Sequence, residues 1–364
     1  MTTDRIRVGI VGANVKYGWG NEAHLPALKD AADIELRAVC TTRMETAQET
    51  AKVHGIPLAF DNVEAMVNSP EVDVVVVAVR VPQHYGIVMP ALRAKKHVFC
   101  EWPLGANLRE AEEMRDLART QGVITQIDLQ SRGGPQLNQM RDLIADGYVG
   151  RITSVTMHAS GGGAGVRNEG SAWMSDAANG ANTLTISAGH NIDAVRYVVG
   201  DITDLAAVVN TQFPEVTLSD SGRTIAQTSP EQIVVSGSLA NGAAVSLHVE
   251  AVPLFPTGVV FEVHGTEGAL VATSDLGMNR AFMALRGARR GEPALHDIAV
   301  DEQYLPAVGT AWGPHINVRT MYGRLAEAIR GGAPVDASFD TAVDLHRLLD
   351  AIERASATGQ RQTV

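Results

Sequence analysis

Between Arg5 and Asp128, short runs with almost no polar residue alternate with longer stretches whose apolar positions recur at helical spacing. Arg5–Val11, Ile34–Cys40, Val72–Val79, His97–Cys100 and Val123–Asp128 predict strands, and Glu22–Ala32, Met44–His54, His84–Ala94 and Leu108–Gln121 predict helices. Strands this apolar are buried on both faces, and the intervening helices supply the cover. The prediction is an α/β domain with a doubly wound parallel sheet over residues 1–128.

The pattern changes near Leu129. Ile152–Ala159, Leu205–Thr211, Glu231–Leu239, Ala243–Val249, Val259–His264 and Ala269–Thr273 predict strands, several joined by short Gly-containing turns such as Ala240-Asn241-Gly242. Helices are predicted over Asn182–Val199, His315–Arg330 and Asp340–Ala357. Residues 129–364 therefore read as an α+β domain with a mostly antiparallel sheet, and the glycine-rich stretch Ser160–Gly165 as a loop near a site.

Composition narrows the function classes. A hydrophobic share of 45% with 20% charged residues is ordinary for a soluble globular chain, and no apolar stretch approaches the ~20 residues that cross a bilayer. A net charge of −11 opposes general nucleic-acid binding, which needs a concentrated basic surface. Met1-Thr2-Thr3-Asp4-Arg5 leads into the first strand without the regions of a signal peptide, so cytoplasmic residence is expected. The two cysteines, Cys40 and Cys100, each end a predicted strand and form neither a disulfide framework nor a metal-ligand spacing. No metal is expected.

The loop after the first strand, Gly12-Ala-Asn14-Val-Lys16-Tyr17-Gly18-Trp19-Gly20, has the position of a dinucleotide fingerprint but not its Gly-x-Gly-x-x-Gly spacing. A tight turn at Gly12 would aim backbone amides and a helix N-terminus at a pyrophosphate. Asn14 stands where the second glycine would be and is the residue type next best able to adopt a left-handed conformation. At the end of the second strand, Thr41-Thr42-Arg43 replaces the carboxylate that would accept the ribose hydroxyls of NAD. Two hydroxyls and a guanidinium suit a 2′-phosphate, so NADP is expected rather than NAD.

With Gly12, Glu101-Trp102-Pro103 and Gly189-His190-Asn191-Ile192-Asp193 identified, the chain resembles the glucose-fructose oxidoreductase and inositol dehydrogenase (Gfo/Idh/MocA) family over essentially its full length. It is most similar to the subgroup that contains the fungal galactose-pathway repressor, which shares the Asn-containing loop, a Gly-Trp soon after it, and Glu-Trp-Pro in place of Glu-Lys-Pro. The resemblance implies a Rossmann domain followed by an open-faced sheet that binds substrate and supports a homodimer or homotetramer, with nicotinamide and substrate at the domain interface. It also implies cofactor contacts from Tyr17, Trp19, Arg80, His84, Glu101 and Pro103.

In catalytic members of the family a lysine, an aspartate and a histidine surround the reacting carbon. Here Trp102 stands at the lysine position, Ile186 at the aspartate position in a gapless reading, and His190 alone remains. No lysine follows Lys96 to replace the missing one. Trp102 reads either as core packing or as an apolar wall beside nicotinamide and substrate, and the fixed neighbours Glu101 and Pro103 favour the wall. His190 reads either as a satisfied helix-face histidine or as the acid/base group, with Asp193 one turn on as its orienting partner. Two function classes follow: an NADP-dependent oxidoreductase acting on a sugar, polyol or related hydroxy compound, or a nucleotide-binding sensor or transcriptional regulator without turnover.

Overall fold

The computed structural model describes residues 5–364 apart from Tyr17, Asp30, Ala281 and residues 307–311. In chain order its first unit contains strands β1 (Ile6–Val11), β2 (Ile34–Cys40), β3 (Leu58–Phe60), β4 (Val74–Val77), β5 (His97–Glu101) and β6 (Thr125–Asp128). These form one sheet in the order β3-β2-β1-β4-β5-β6 with every pairing parallel. The reversal beside β1 is the switch point at which doubly wound sheets hold nucleotides.

Helices α1 (Leu25–Lys29), α2 (Met44–His54), α3 (Val63–Val67), α4 (His84–Arg93) and α5 (Leu108–Gln121) connect these strands. All four valines of β4 are fully buried, as the unbroken apolar run predicts. The helix expected over Glu22–Ala32 begins instead as a π-helical turn, Gly20–His24, and continues as α1. Gly20 is required there because a Cβ would lie 2.9 Å from the Ala13 Cα.

The second unit contains helices α6 (Pro135–Ala145) and α7 (Gly189–Val199) and strands β7 (Ile152–Ser160), β8 (Val166–Arg167), β9 (Ile202–Asn210), β10 (Glu215–Leu218), β11 (Thr224–Ala226), β12 (Gln232–Leu239), β13 (Ala244–Glu250), β14 (Gly258–Gly265), β15 (Gly268–Ser274), β16 (Ala284–Arg289), β17 (His296–Asp297) and β18 (Gln362–Thr363). Nine of these form a sheet in the order β17-β16-β15-β14-β7-β13-β12-β9-β18, antiparallel except for the β7–β13 pair. Along β13 buried and more exposed residues alternate, the signature of a sheet covered on one face. A small sheet β11-β10-β8 stands apart from it.

One boundary differs from the expected 1–128 and 129–364. The compact units are residues 1–133 with 313–344, and 134–312 with 345–364. Helix α8 (Pro314–Ile329), expected in the second domain, belongs to the first, and α9 (Phe339–Thr358) contains the later division. The physical reason is specific packing: Gly133 lies so near Asn317 that a Cβ would meet its carbonyl oxygen at 2.2 Å, and the Gln126 amide donates to the Met321 carbonyl at 2.9 Å. Helical periodicity shows that α8 has an apolar face but not which sheet receives it.

Candidate functional site

The nucleotide loop follows from β1. Gly12 has φ +97°, and a Cβ there would lie 2.3 Å from the Ala78 carbonyl oxygen, so the turn accepts only glycine. Its N–H donates to the Cys40 carbonyl, which locks the loop to the end of β2. Asn14 does not take the left-handed conformation expected of it: the described non-glycine residues with positive φ are Lys95 and Ala164. Its side-chain oxygen instead accepts the Lys16 N–H at 2.9 Å, so a side-chain turn does the work that backbone freedom would do in the glycine version. Lys16 itself lies 3.7 Å from Glu49. Tyr17 lies outside the described residues, and Trp19 is partly buried.

At the end of β2, Thr42 and Arg43 are exposed, and the Thr41 hydroxyl donates to the Arg43 carbonyl at 2.8 Å. Arg43 is the N-cap residue of α2 in extended conformation and makes no side-chain capping bond. Among the described residues its guanidinium has no ion-pair partner, so its donors remain available to an anion. Cys40 is no competitor, since burial first and Asp61 second push its thiol up to about 11. Arg80, beyond β4, is also exposed.

His84 needs correction as a cofactor contact. Its ring is fully buried, with Nδ1 2.9 Å from the Pro103 carbonyl and Nε2 3.0 Å from the Val79 carbonyl. Burial holds the ring toward its neutral form, whose single N–H donates to one of these carbonyls, and the Cys100 Sγ stands 3.5 Å from Nδ1; His84 thus ties the end of β4 to the segment after β5, with both nitrogens walled by protein. Pro103 contributes through that carbonyl. Trp102, joined to Pro103 by a cis peptide bond, is only 4% exposed. An indole that deeply packed can offer a ligand no more than an edge, which restricts the expected substrate wall.

Glu101 likewise belongs to a buried polar cluster rather than to an open cofactor surface. It ends β5 directly opposite Asp128 at the end of β6. His24, from the π-helical turn after the nucleotide loop, places Nε2 2.5 Å from a Glu101 oxygen and 3.7 Å from Asp128, while its Nδ1 lies 2.6 Å from the Tyr322 hydroxyl of α8. Phe99 packs edge-on against both the imidazole and the phenol. Sequence reasoning missed His24 and Tyr322 because neither sits in a motif; only the fold brings residues about 300 positions apart together.

Burial governs the protons of this cluster. It pushes Glu101 up to about 8, against a lesser opposing hydrogen bond with Asp128. It raises Asp128 well above the usual carboxylate range, with the nearby Glu101 charge adding to the effect. It also holds His24 below its ordinary value, partly offset by Asp128. A neutral His24 donates through one nitrogen and accepts at the other, and the Tyr322 hydroxyl can complete either tautomer. The His24, Glu101 and Asp128 ligand atoms all lie within 4.8 Å of one another. As described, the imidazole and the Glu101 carboxyl are hydrogen-bonded to each other, an arrangement two ligands of one tetrahedral metal would have to open. The cluster ties the turn after the nucleotide loop to the C-terminal ends of β5 and β6 and to α8.

A stability prediction follows. Folded Glu101 retains its proton up to about pH 8, while an unfolded glutamate releases it near pH 4.5. In that window the native state binds more protons, so stability falls as pH rises. Glu101→Gln keeps the shape and cannot ionise, so its melting temperature relative to the parent should climb between pH 5 and 8, by the equivalent of a few kcal/mol at most. Parallel melting curves across that range would refute the assignment.

In the second unit, Asn182 caps the helix that carries His190. Its side-chain oxygen accepts the N–H groups of Leu184 and Thr185, and Thr185 reciprocates to the Asn182 N–H. A π-helical stretch, Thr183–Ala188, runs directly into α7 and confirms the helix expected over Asn182–Val199. His190 is 6% exposed and its Nδ1 has no hydrogen-bond partner among the described residues. Burial, reinforced by the positive charge of Arg280, holds it down to about 4. Asp193 is fully buried one turn on, but it does not occupy that nitrogen, so the expected orienting pair is not formed there. Ile186 is partly buried and offers no proton-transfer group.

Comparison with known proteins matches the two halves of the chain separately. Residues 6–129 match the family described as oxidoreductases with an NAD-binding Rossmann fold, and residues 135–274 match the Gal80p C-terminal domain. The galactose/lactose metabolism regulatory protein GAL80 of Saccharomyces cerevisiae is 31% identical over 295 residues, covering 75% of this chain and 67% of that protein. Dehydrogenase aclE of Aspergillus oryzae is 32% identical over 223 residues, covering 60% of this chain and 61% of its own. These alignments thus span somewhat under or about two thirds of the relatives' lengths. A crystal structure of a super-repressor mutant of Saccharomyces cerevisiae Gal80p superposes with a TM-score of 0.88 at 26% identity, covering 99% of this chain and 98% of that one. The parallel six-stranded nucleotide sheet, the largely antiparallel second sheet and these matches make the chain a member of the Gfo/Idh/MocA oxidoreductase family, in the branch whose relatives include both dehydrogenases and Gal80 regulators.

Proposed function

We propose that the protein is an NADP-dependent oxidoreductase acting on a hydroxy compound of the sugar or polyol class, with His190 as its proton-accepting group. The observation that carries this reading is the state of His190: buried, neutral at physiological pH, and with Nδ1 unclaimed by any described residue. Nδ1 itself is sealed from solvent, so the atom a substrate hydroxyl would meet is Nε2, which makes no hydrogen bond to a described residue. The nicotinamide, when bound, supplies hydride chemistry; the residues of this chain bind it, hold the hydroxyl and take its proton.

The nucleotide preference rests on Arg43, Thr41 and Thr42 at the end of β2. Residues 41–43 carry no carboxylate to pair with ribose hydroxyls, and the exposed guanidinium suits a 2′-phosphate. In this reading the N–H groups that follow Gly12 approach the pyrophosphate; the turn that would aim them accepts only glycine, since a Cβ there would lie 2.3 Å from the Ala78 carbonyl oxygen.

A second reading has its own support. The match of residues 135–274 to the Gal80p C-terminal domain, with Trp102 in place of a lysine, favours a nucleotide-binding regulator without turnover. Incubation of the purified protein with NADP and a panel of sugars, polyols and hydroxy acids separates the two. Reduced nicotinamide that forms with the parent and not with His190→Ala supports the enzyme. NADP binding without turnover across the panel supports the regulator.

A further inference from the structure

The second unit contains a cavity of about 180 Å³ whose lining joins three pieces of backbone: the glycine segment after β7, strand β8, and the first turns of the helix that carries His190. Gly163, Gly165, Arg167, Thr183, Ser187 and Glu231 are among its walls. The glycines are there for steric reasons. A Cβ on Gly163 would meet the Ala251 carbonyl oxygen at 2.3 Å, and Gly165 has φ +72° with the Phe213 ring 3.0 Å from where a Cβ would stand. Bare backbone therefore faces this space. Among the described residues, the N–H groups of Gly163 and Gly165 donate to no protein acceptor.

Arg167 gives the cavity its charge. Its Nε donates to the Gln227 side-chain oxygen at 3.2 Å. Its two terminal nitrogens make no hydrogen bond to a described residue. Glu231 is the obvious counter-ion, yet its carboxylate is already committed. One oxygen accepts the N–H groups of Gln212 and Phe213 at 2.9 Å each, and the other accepts the Gln227 amide at 2.6 Å. Glu231 thus acts on Arg167 through space without closing an ion pair, and the guanidinium fork stays open. The Thr183 and Ser187 hydroxyls supply further donors, and Ser187 precedes His190 by one helical turn, a rise of ~4.5 Å. The helix start itself is no part of the attraction, because Asn182 already satisfies its leading N–H groups.

We propose that this cavity binds the carboxylate of a monosaccharide-sized hydroxy acid, an aldonic or uronic acid, with Arg167 as the bidentate clamp. The inference rests on the reading of His190 as the acid/base group and narrows its substrate class: His190 does not itself line the cavity, but Ser187, one turn before it, does. A planar fork matches a carboxylate in two parallel hydrogen bonds, whereas a neutral polyol leaves the charge of Arg167 unmatched in a half-buried position. Glu231 disfavours a dianionic phosphate more than a monoanionic carboxylate. At ~30 Å³ per water, the volume equals about six waters, which suits a single sugar-sized acid and not an oligomer.

The test is binding, read by calorimetry without any demand for turnover, on the full chain loaded with NADP. Gluconate, galactonate and glucuronate are compared with glucitol, galactitol and glucose, for the parent, Arg167→Met and Arg167→Lys. At least one acid should bind at least tenfold more tightly than its neutral counterpart, and Arg167→Met should remove that preference while neutral ligands bind as before. Arg167→Lys should retain part of it. Should Arg167→Met fail to fold, the acid-to-neutral ratio of the parent and its fall in Arg167→Lys still decide the matter. Acids that bind no better than neutral sugars, or a variant that weakens both equally, overturn the clamp. Acid binding without reduced nicotinamide would keep the carboxylate site and reject the enzyme. Turnover of neutral polyols with no acid preference would keep the enzyme and reject the carboxylate site.

Discussion

His190→Ala is expected to lower turnover by roughly 10² to 10⁴-fold, the usual contribution of a positioned acid/base group, while NADP affinity stays within about twofold of the parent. The contrast follows from where the residues lie. Gly12 and Arg43 belong to the first compact unit, and His190 to the second, so removing the imidazole leaves the nucleotide-binding residues intact. The pH profile should carry the same signature. Burial and Arg280 hold His190 down to about 4, so the neutral base form prevails above that pH. For oxidation of a hydroxyl, the acid limb of kcat/KM should therefore lie below pH 5, not near the ordinary histidine value of ~6.5. An acid limb near 6.5 that persists in His190→Ala would assign proton transfer to another group. Fluorescence or calorimetric titration of NADP alongside the rates separates loss of chemistry from loss of binding.

Arg43→Ala should weaken NADP binding by about 10- to 100-fold, corresponding to loss of charge-assisted hydrogen bonds worth ~1.5–3 kcal/mol, and leave NAD affinity nearly unchanged. The substitution is structurally mild. Arg43 makes no side-chain cap to α2, and the nearby bond from Thr41 goes to its backbone carbonyl, which alanine retains. Paired titrations of NAD and NADP on the parent and the variant check the claim. Equal affinity for the two nucleotides, unaltered by Arg43→Ala, would remove the 2′-phosphate assignment.

The sequence predicts the sheets because their strands carry the two patterns that chemistry enforces: unbroken apolar runs where both faces are covered, and alternation where one face is. Val74–Val77 and Ala244–Glu250 are the clearest examples. It also predicts where Gly12, Arg43 and His190 fall in the fold, after β1, before α2 and in α7, since each lies in a local segment whose geometry is set within a few residues. The ownership of α8 escapes the pattern, because an apolar helix face does not name its partner. The His24–Glu101–Asp128–Tyr322 cluster escapes it for the same reason. Glu101 stands out only as part of the Glu101-Trp102-Pro103 motif, and His24 and Tyr322 lie in no motif, until β5, β6, the π-helical turn and α8 bring them together. Asn14 shows a subtler limit. Its residue type fits two solutions to the same turn, a left-handed backbone or a side-chain acceptor, and only the observed bond to the Lys16 N–H selects the second. His84 fits a ligand contact by position, but its two backbone partners are visible only once the chain is folded.

The most direct test of the proposed hydride transfer is a single-turnover measurement with the protein in excess over NADP, scanning hydroxy acids and polyols for the absorbance of reduced nicotinamide. Excess protein removes any dependence on product release, so even a slow chemical step registers. The account predicts close to one equivalent of NADPH per NADP for at least one compound where the equilibrium permits oxidation, and none on the same timescale with His190→Ala. Tightly bound NADP that remains oxidised with every compound, under conditions where reduction is thermodynamically favourable, would contradict it and leave a nucleotide-binding regulator in its place.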